Sequence, residues 1–159
     1  MANLVYLTLN GEKQGLISSG CSSLASIGNK AQITHIDQIM VLALDHGVTR
    51  DQNVNHLALS IRKPVDKSTP LLNSAITENE ILTCDFEFYR TNRFGINELY
   101  YKMKLIKARI SGIHLTVPHT ITDSRGQPEE IISFIYETFT QEHCVAGTSA
   151  LSVWDIRLF

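Results

Sequence analysis

Cysteine is scarce and poorly placed for cysteine chemistry. Cys21, Cys84 and Cys144 are odd in number and form no C-x-x-C pair, which argues against a disulfide framework or a zinc site and fits folding in a reducing compartment. Proline and glycine are also sparse, four and nine residues in 159. No linker-like stretch divides the chain, so one domain over residues 1–159 is expected. Long apolar runs are missing: the longest, Ile39 to Leu44, is far short of the ~20 residues a membrane helix needs. The opening residues lack the basic region and small-residue cleavage site of a Sec signal peptide. An excess of one charge is absent too. Lys and Arg number 14 against 16 Asp and Glu, a net charge of −2. Such a balance provides no broad basic field for a phosphate backbone or an anionic membrane. Neither nucleic-acid binding nor membrane insertion is therefore expected. What is present, 43% apolar and 19% charged residues, is the composition of a folded globule.

Period-two patterning dominates. Leu4 to Asn10 reads as a first strand, and Gln38 to Leu44, apolar on both faces, as a central one. Leu57, Leu59 and Ile61 alternate with Ala58, Ser60 and Arg62. From Ile81 to Arg90, Leu82, Cys84, Phe86 and Phe88 face one way, while Thr83, Asp85 and Glu87 face the other. Leu99 to Val117 is too long for one regular strand, and its apolar phase shifts near Leu105 and Ile106, which predicts a bulge or bend. Pro128 to Cys144 mixes helix and strand signals and is read as strand. A last strand holds Leu151, Val153 and Trp154 and ends at Phe159. One helix is expected, capped by Thr69, with Pro70 at its first position, a stripe of Leu71, Leu72, Ala75 and Ile76, and a stop at Asn79. The fold class is mainly β: a two-sheet β-barrel or sandwich with one short α-helix.

Candidate chemistry is thin. Asp45-His46, with Asp51 and His56 nearby, has the composition of a base and its orienting carboxylate, but no positioned nucleophile accompanies it and a solvated loop is the simpler reading. His35, Asp37 and His46 could offer metal ligands, yet H-E-x-x-H is absent, and structural polar contacts are preferred. Cys21 sits in a small-residue loop and reads as a buried, inert thiol. Tyr89, Tyr100 and Tyr101 with Arg90 and Lys102 could stack on bases, although ordinary cross-strand pairing explains them. No enzyme reading survives, and no catalytic residue, cofactor or metal is expected.

Short motifs in a shared order point to one family. They begin with Gly11-x-x-Gln14-Gly15-Leu16-Ile17, Gly20-Cys21 and Ser26-Ile27-Gly28. His35-x-Asp37, Asp45-His46, Lys63-Pro64, Asp66-Lys67 and Pro70-Leu71-Leu72 follow. Then come Phe88-Tyr89-Arg90-Thr91, Glu98 and Tyr101, Lys104-Leu105, Pro118-His119, His143, Ala146-Gly147-Thr148-Ser149 and Trp154. Together they resemble Hcp, the haemolysin-coregulated protein of type VI secretion systems. The resemblance implies a fold like that of phage tail-tube proteins. It also implies a homo-hexameric ring, stacking of rings into an inner tube, spike and sheath proteins as partners, and small effector proteins in the lumen. Its location would be the bacterial cytoplasm during assembly, then the medium or a target cell, with no signal peptide needed. Ring contacts are expected at Asp45, His46 and Gly47 in an extended arm, and at Arg93, Phe94 and Gly95 in the hairpin after Thr91. A bulky residue at Gly47 or Gly95 is expected to weaken ring stacking, unless both glycines serve only as positive-φ turn residues. A reading of a different class is a monomeric β-barrel that binds a small apolar ligand in its interior.

Overall fold

The computed structural model describes residues 3–154. Its strands are β1 (Asn3–Gly11), β2 (Gly15–Leu16), β3 (Ile39–Val41), β4 (Ala43–Asp45), β5 (Val48–Arg50), β6 (Val54–His56), β7 (Leu59–Pro64), β8 (Leu82–Thr91), β9 (Asn97–Thr116), β10 (Glu129–Ile135), β11 (Thr138–His143) and β12 (Thr148–Val153). Two helices interrupt them, α1 (Leu24–Ile27) and α2 (Thr69–Thr77). All strand pairs are antiparallel.

Strand β9 belongs to two sheets. Its first half pairs with β8 on one side and β11 on the other, in a sheet that continues to β1, β2, β3 and β12. Its second half pairs with β10, which leads through β7 to β4. The corner falls at Lys107, whose φ is +51°, and the register with β8 slips between Leu82 and Cys84. Met103 and Leu105 are buried before the corner, Ala108 and Ile110 after it, so the odd-to-even change in phase is the bulge that the sequence predicts. The two sheets pack face to face through Leu7, Leu9, Leu59, Ile61, Cys84, Phe86, Ile132 and Phe134. They do not close on each other, so the architecture is a sandwich rather than a barrel.

Other expectations need adjustment. Gln38 to Leu44 is not one central strand. β3 pairs with β1 and β4 with β7, so this apolar run crosses from one sheet to the other, and apolarity on both sides reflects two different partners. Leu57 precedes β7 and is exposed. Helix α2 starts at its proposed cap, one residue earlier than expected: Ser68 is the N-cap residue and Thr69 is already helical. The stop at Asn79 is present as a positive φ of 53°. The four-residue α1 was not foreseen, because it has no buried residue and hence no apolar stripe to betray it. The last strand ends at Val153, and its proposed extension beyond Trp154 lies outside the described residues.

Two polar constructions lock the sandwich. In the first, Lys63 is fully buried with its Nζ 2.6 Å from Glu130 Oε2, 3.0 Å from Asp66 Oδ1 and 3.0 Å from the Pro64 carbonyl. Thr69 Oγ1 donates to the same Glu130 oxygen at 2.9 Å, and the Ser68 amide donates to Asp66 at 2.9 Å. One ammonium thus ties β7, the start of α2 and β10 together. In the second, Glu80 accepts from the Lys13 and Gln14 amides (3.2 and 3.0 Å) and from Gln14 Nε2 (3.0 Å), while Gln14 Nε2 also donates to the Leu71 carbonyl. Burial alone would push Glu80 upward, but these donors outweigh it and hold the carboxyl below its usual range. A Cβ at Gly11 would overlap the Glu80 carboxylate, so the Gly11-x-x-Gln14 motif is the signature of this clamp.

Replacing Lys63 with Met strands two buried carboxylates without their cation and should cost roughly 3–5 kcal/mol, read as a lower urea midpoint with an unchanged slope. The Gly11→Ala variant should also be destabilised through displacement of Glu80, and a Glu80→Ala background should remove most of that penalty. Additive losses in the double variant would exclude the clamp.

Candidate assembly interface

The β8–β9 turn projects as an apolar knob. Asn92 Oδ1 accepts from the Phe94 and Ile96 amides at 2.9 and 3.1 Å, and the Asn92 carbonyl accepts from the Gly95 amide at 3.0 Å. Gly95 has φ +77°, a conformation that favours glycine. The turn so built leaves Phe94 72% exposed, with the Arg93 guanidinium 4.9 Å from its ring centre. Beside it lies the β11–β12 turn, tied in by a hydrogen bond from the Cys144 amide to the Tyr100 carbonyl at 2.9 Å, and its Val145 is also exposed. Arg90 Nε, 2.8 Å from Glu98, braces the base of the knob and covers the Tyr100 ring. The aromatic and basic residues considered for base stacking therefore serve contacts within the sheet: Tyr101 donates across to Gln141 of β11, and Tyr89 donates to Glu87 on its own strand.

Strands β5 and β6 form an arm that, among the described residues, pairs only with itself. Asp45 ends β4, and His46 and Gly47 link it to the arm. The Gly47 carbonyl accepts from the Leu57 amide at 3.0 Å, closing the base of the hairpin. Gly47 is not among the positive-φ residues; a Cβ there would instead press on Leu57 Cδ1 at 3.0 Å. The positive-φ expectation thus holds for Gly95 and fails for Gly47.

The solvated-loop reading of this segment also fails for its histidines. His46 Nε2 lies 2.7 Å, and His56 Nδ1 2.8 Å, from the Tyr136 hydroxyl, while His56 Nε2 is 2.9 Å from Ser152 Oγ. The His56 ring stacks on Trp154 at 5.7 Å, and His46 lies 4.7 Å from the Phe139 ring. Burial pushes both imidazoles below the usual histidine range; the neighbouring His56 adds to the effect on His46, and Asp45 opposes it. Asp51 stays at the far end of the hairpin. His35 and Asp37 do not join His46: His35 stacks on Tyr6 at 3.9 Å, and Asp37 Oδ1 accepts from the Gly20 amide at 2.9 Å. Cys21 is buried, and burial, helped by the charge of Asp66, pushes its thiol up to about 11, in keeping with an inert role. The arm base and the Phe94 knob are separate: ten residues of β9, about 33 Å of extended chain, run between Ile106, which pairs with Thr138, and Ile96.

A third surface is the outer face of the sheet carrying β1, β8, β9, β11 and β12. Register places Asp85 opposite Lys104, Glu87 opposite Lys102, Lys102 opposite Glu142, and Glu142 opposite Ser149. These residues, with Thr8, Thr140 and Leu151, line an open concavity of about 700 Å³. Positive and negative side chains alternate across it, so no strong field of either sign results. Burial raises Asp85, Lys104 opposing and Glu87 adding to the shift. No helix of the described residues is long and apolar enough to cross a membrane.

Comparison with known proteins matches these features to one family. Residues 6–143 match the family described as "Type VI secretion system effector, Hcp". The chain is 39% identical over 155 residues to the uncharacterized protein YhhZ of Escherichia coli (strain K12), covering 93% of this chain and 37% of that protein. It is 35% identical to the "Major exported protein" of Pseudomonas aeruginosa, over 97% of this chain and 96% of that one. The crystal structure of an Hcp protein superposes with a TM-score of 0.92 at 32% identity, over 97% and 99% of the two chains. A profile that spans most of the sandwich, together with a relative and a solved structure matched along nearly their whole lengths, places this chain in the Hcp family of type VI secretion system effectors.

Proposed function

We propose that this chain is a structural subunit of a type VI secretion inner tube. Six copies close into a ring, and rings stack into a tube that works with spike and sheath proteins. The polar concavity on the outer sheet faces the lumen, where small effector proteins are carried. The subunit does no chemistry and leaves the cell with its cargo. The observation that carries this reading is the arm. A two-stranded hairpin is marginal by itself in water, and β5–β6 pairs with no further strand among the described residues, so a neighbouring copy is its natural support. Closing a ring requires two different complementary surfaces on every subunit. The arm supplies one, with Asp45, His46 and Gly47 at its base, and the body of the next subunit supplies the other. Arg93, Phe94 and Gly95, at the end of the sheet, are set to meet the next ring. The near-neutral checkerboard of Asp85, Glu87, Lys102 and Lys104 suits a channel through which different cargoes must slide without adhering.

Native mass and negative-stain imaging of the purified chain test the proposal. Six-fold rings are the expected result; a persistent monomer with a small apolar ligand would instead establish the ligand-binding alternative. The Phe94→Asp variant should keep six-fold rings but form fewer and shorter stacks than the parent. Stacking equal to that of the parent would remove the knob from the interface.

A further inference from the structure

We infer that His46, His56 and Tyr136 form an acid-released latch that fastens the β5–β6 arm to the body of its own subunit. The two histidines lie at the two ends of the arm, just before β5 and at the close of β6, and both converge on the Tyr136 hydroxyl at 2.7 and 2.8 Å. Tyr136 stands between β10 and β11, 80 and 90 residues away in sequence. Ser152 of β12 holds the far nitrogen of His56 at 2.9 Å, and Trp154 and Phe139 wall the cluster.

Proton counting shows why the latch needs neutral imidazoles. A tyrosine hydroxyl has one proton to donate, and its oxygen can accept. With both rings neutral, Tyr136 donates to one imidazole nitrogen and accepts from the other, and His56 exchanges its remaining hydrogen bond with Ser152. Every donor then has an acceptor. A first added proton is tolerated: it goes to His46 Nδ1, which bonds none of these partners, and the relay of His46 Nε2–H to Tyr136, Tyr136 to His56 Nδ1 and His56 Nε2–H to Ser152 stays intact. A second is not. Both rings would then point N–H groups at one oxygen, the tyrosine proton would lose its acceptor, and two cations would share a partly buried site. The pair therefore takes up protons as a coupled unit.

Charged neighbours do not rescue the doubly protonated state. Asp45 on β4 favours the charged form of His46, but its effect is smaller than those of burial and His56. Glu137, next to Tyr136, is engaged with Lys107 of β9 at 3.6 Å. Lys107 and Arg109 line the adjoining groove with Tyr136 and Trp154 and add positive charge. From β11 and β12 the cluster receives Phe139 and Ser152, both uncharged. The sign follows. In the released arm the histidines return to about 6.5, so opening binds protons, and the latch is strongest above that value and weakens as pH falls through and below it.

The latch lies within one chain and does not depend on the ring reading; only its consequence for assembly, loss of arm-borne contacts in acid, does. Hydrogen exchange of the full chain at pH 7.5 and pH 5, corrected for the intrinsic rate at each pH, tests it. Protection of residues 48–57 should fall about tenfold or more on acidification, with β8 unchanged. The emission of Trp154, the single tryptophan, should change over the same interval. A His46→Gln, His56→Gln double variant should show equal arm protection at both pH values, and Tyr136→Phe should loosen the arm already at pH 7.5. Arm protection in the parent chain that is the same at pH 5 as at pH 7.5 overturns the proposal without recourse to any variant. Acid loosening that persists undiminished in the double variant overturns it as well. Native mass recorded on the same samples reports ring formation separately, so failure of the latch and failure of the ring are distinguishable.

Discussion

The fold depends on one strand being a member of two sheets. β9 can do this only because the backbone turns at Lys107, where a non-glycine residue occupies a positive φ. Such a conformation costs of order 1–3 kcal/mol, and the interleaved apolar layers on either side of the corner offset it. The same corner distributes the surfaces. The half before it carries the polar concavity and ends in the Phe94 knob; the half after it leads through β10 and β7 to β4 and the arm. The knob and the arm, the two candidate contact surfaces, are thus set apart by a single change of phase.

Two kinds of polar contact share the burden with different tolerances. Around Lys63 one ammonium meets two carboxylates and a carbonyl in a fully buried site. Around Tyr136 the donors and acceptors balance only while the imidazoles are neutral or singly charged. The first arrangement suits a permanent joint. The second suits a contact that can be undone without disturbing the sandwich, because among the described residues the arm shares no ladder hydrogen bond with either sheet.

Much of this was legible in the chain itself. Alternation in β8 and the phase shift in β9 are local signals, and the structure follows both. Gln38 to Leu44 misled because an apolar run records burial but not partners, and here its two halves have different ones. The Lys63 cluster had a signal that simple motif reading passes over: Lys63 lies in phase with Leu59 and Ile61, and Glu130 in phase with Ile132 and Phe134, so each charge occupies an inward position on its strand. Opposite charges at inward positions of two strands imply that they meet. The histidine cluster had no such signal. His56 reaches Tyr136 and Ser152 across 80 and 96 residues, and only the folded chain brings them together.

The buried Lys63 has a mechanical consequence. Peeling α2 from the body, or sliding β7 along β10, would leave an ammonium or a carboxylate in an apolar interior with no water to receive it. Small strains therefore meet a steep wall instead of a gradual yield, and β7, β10 and the start of α2 move as one rigid block. In the proposed stack of copies, force applied at one end would pass through this block with little lost to deformation inside it, and compliance would be left to the arms.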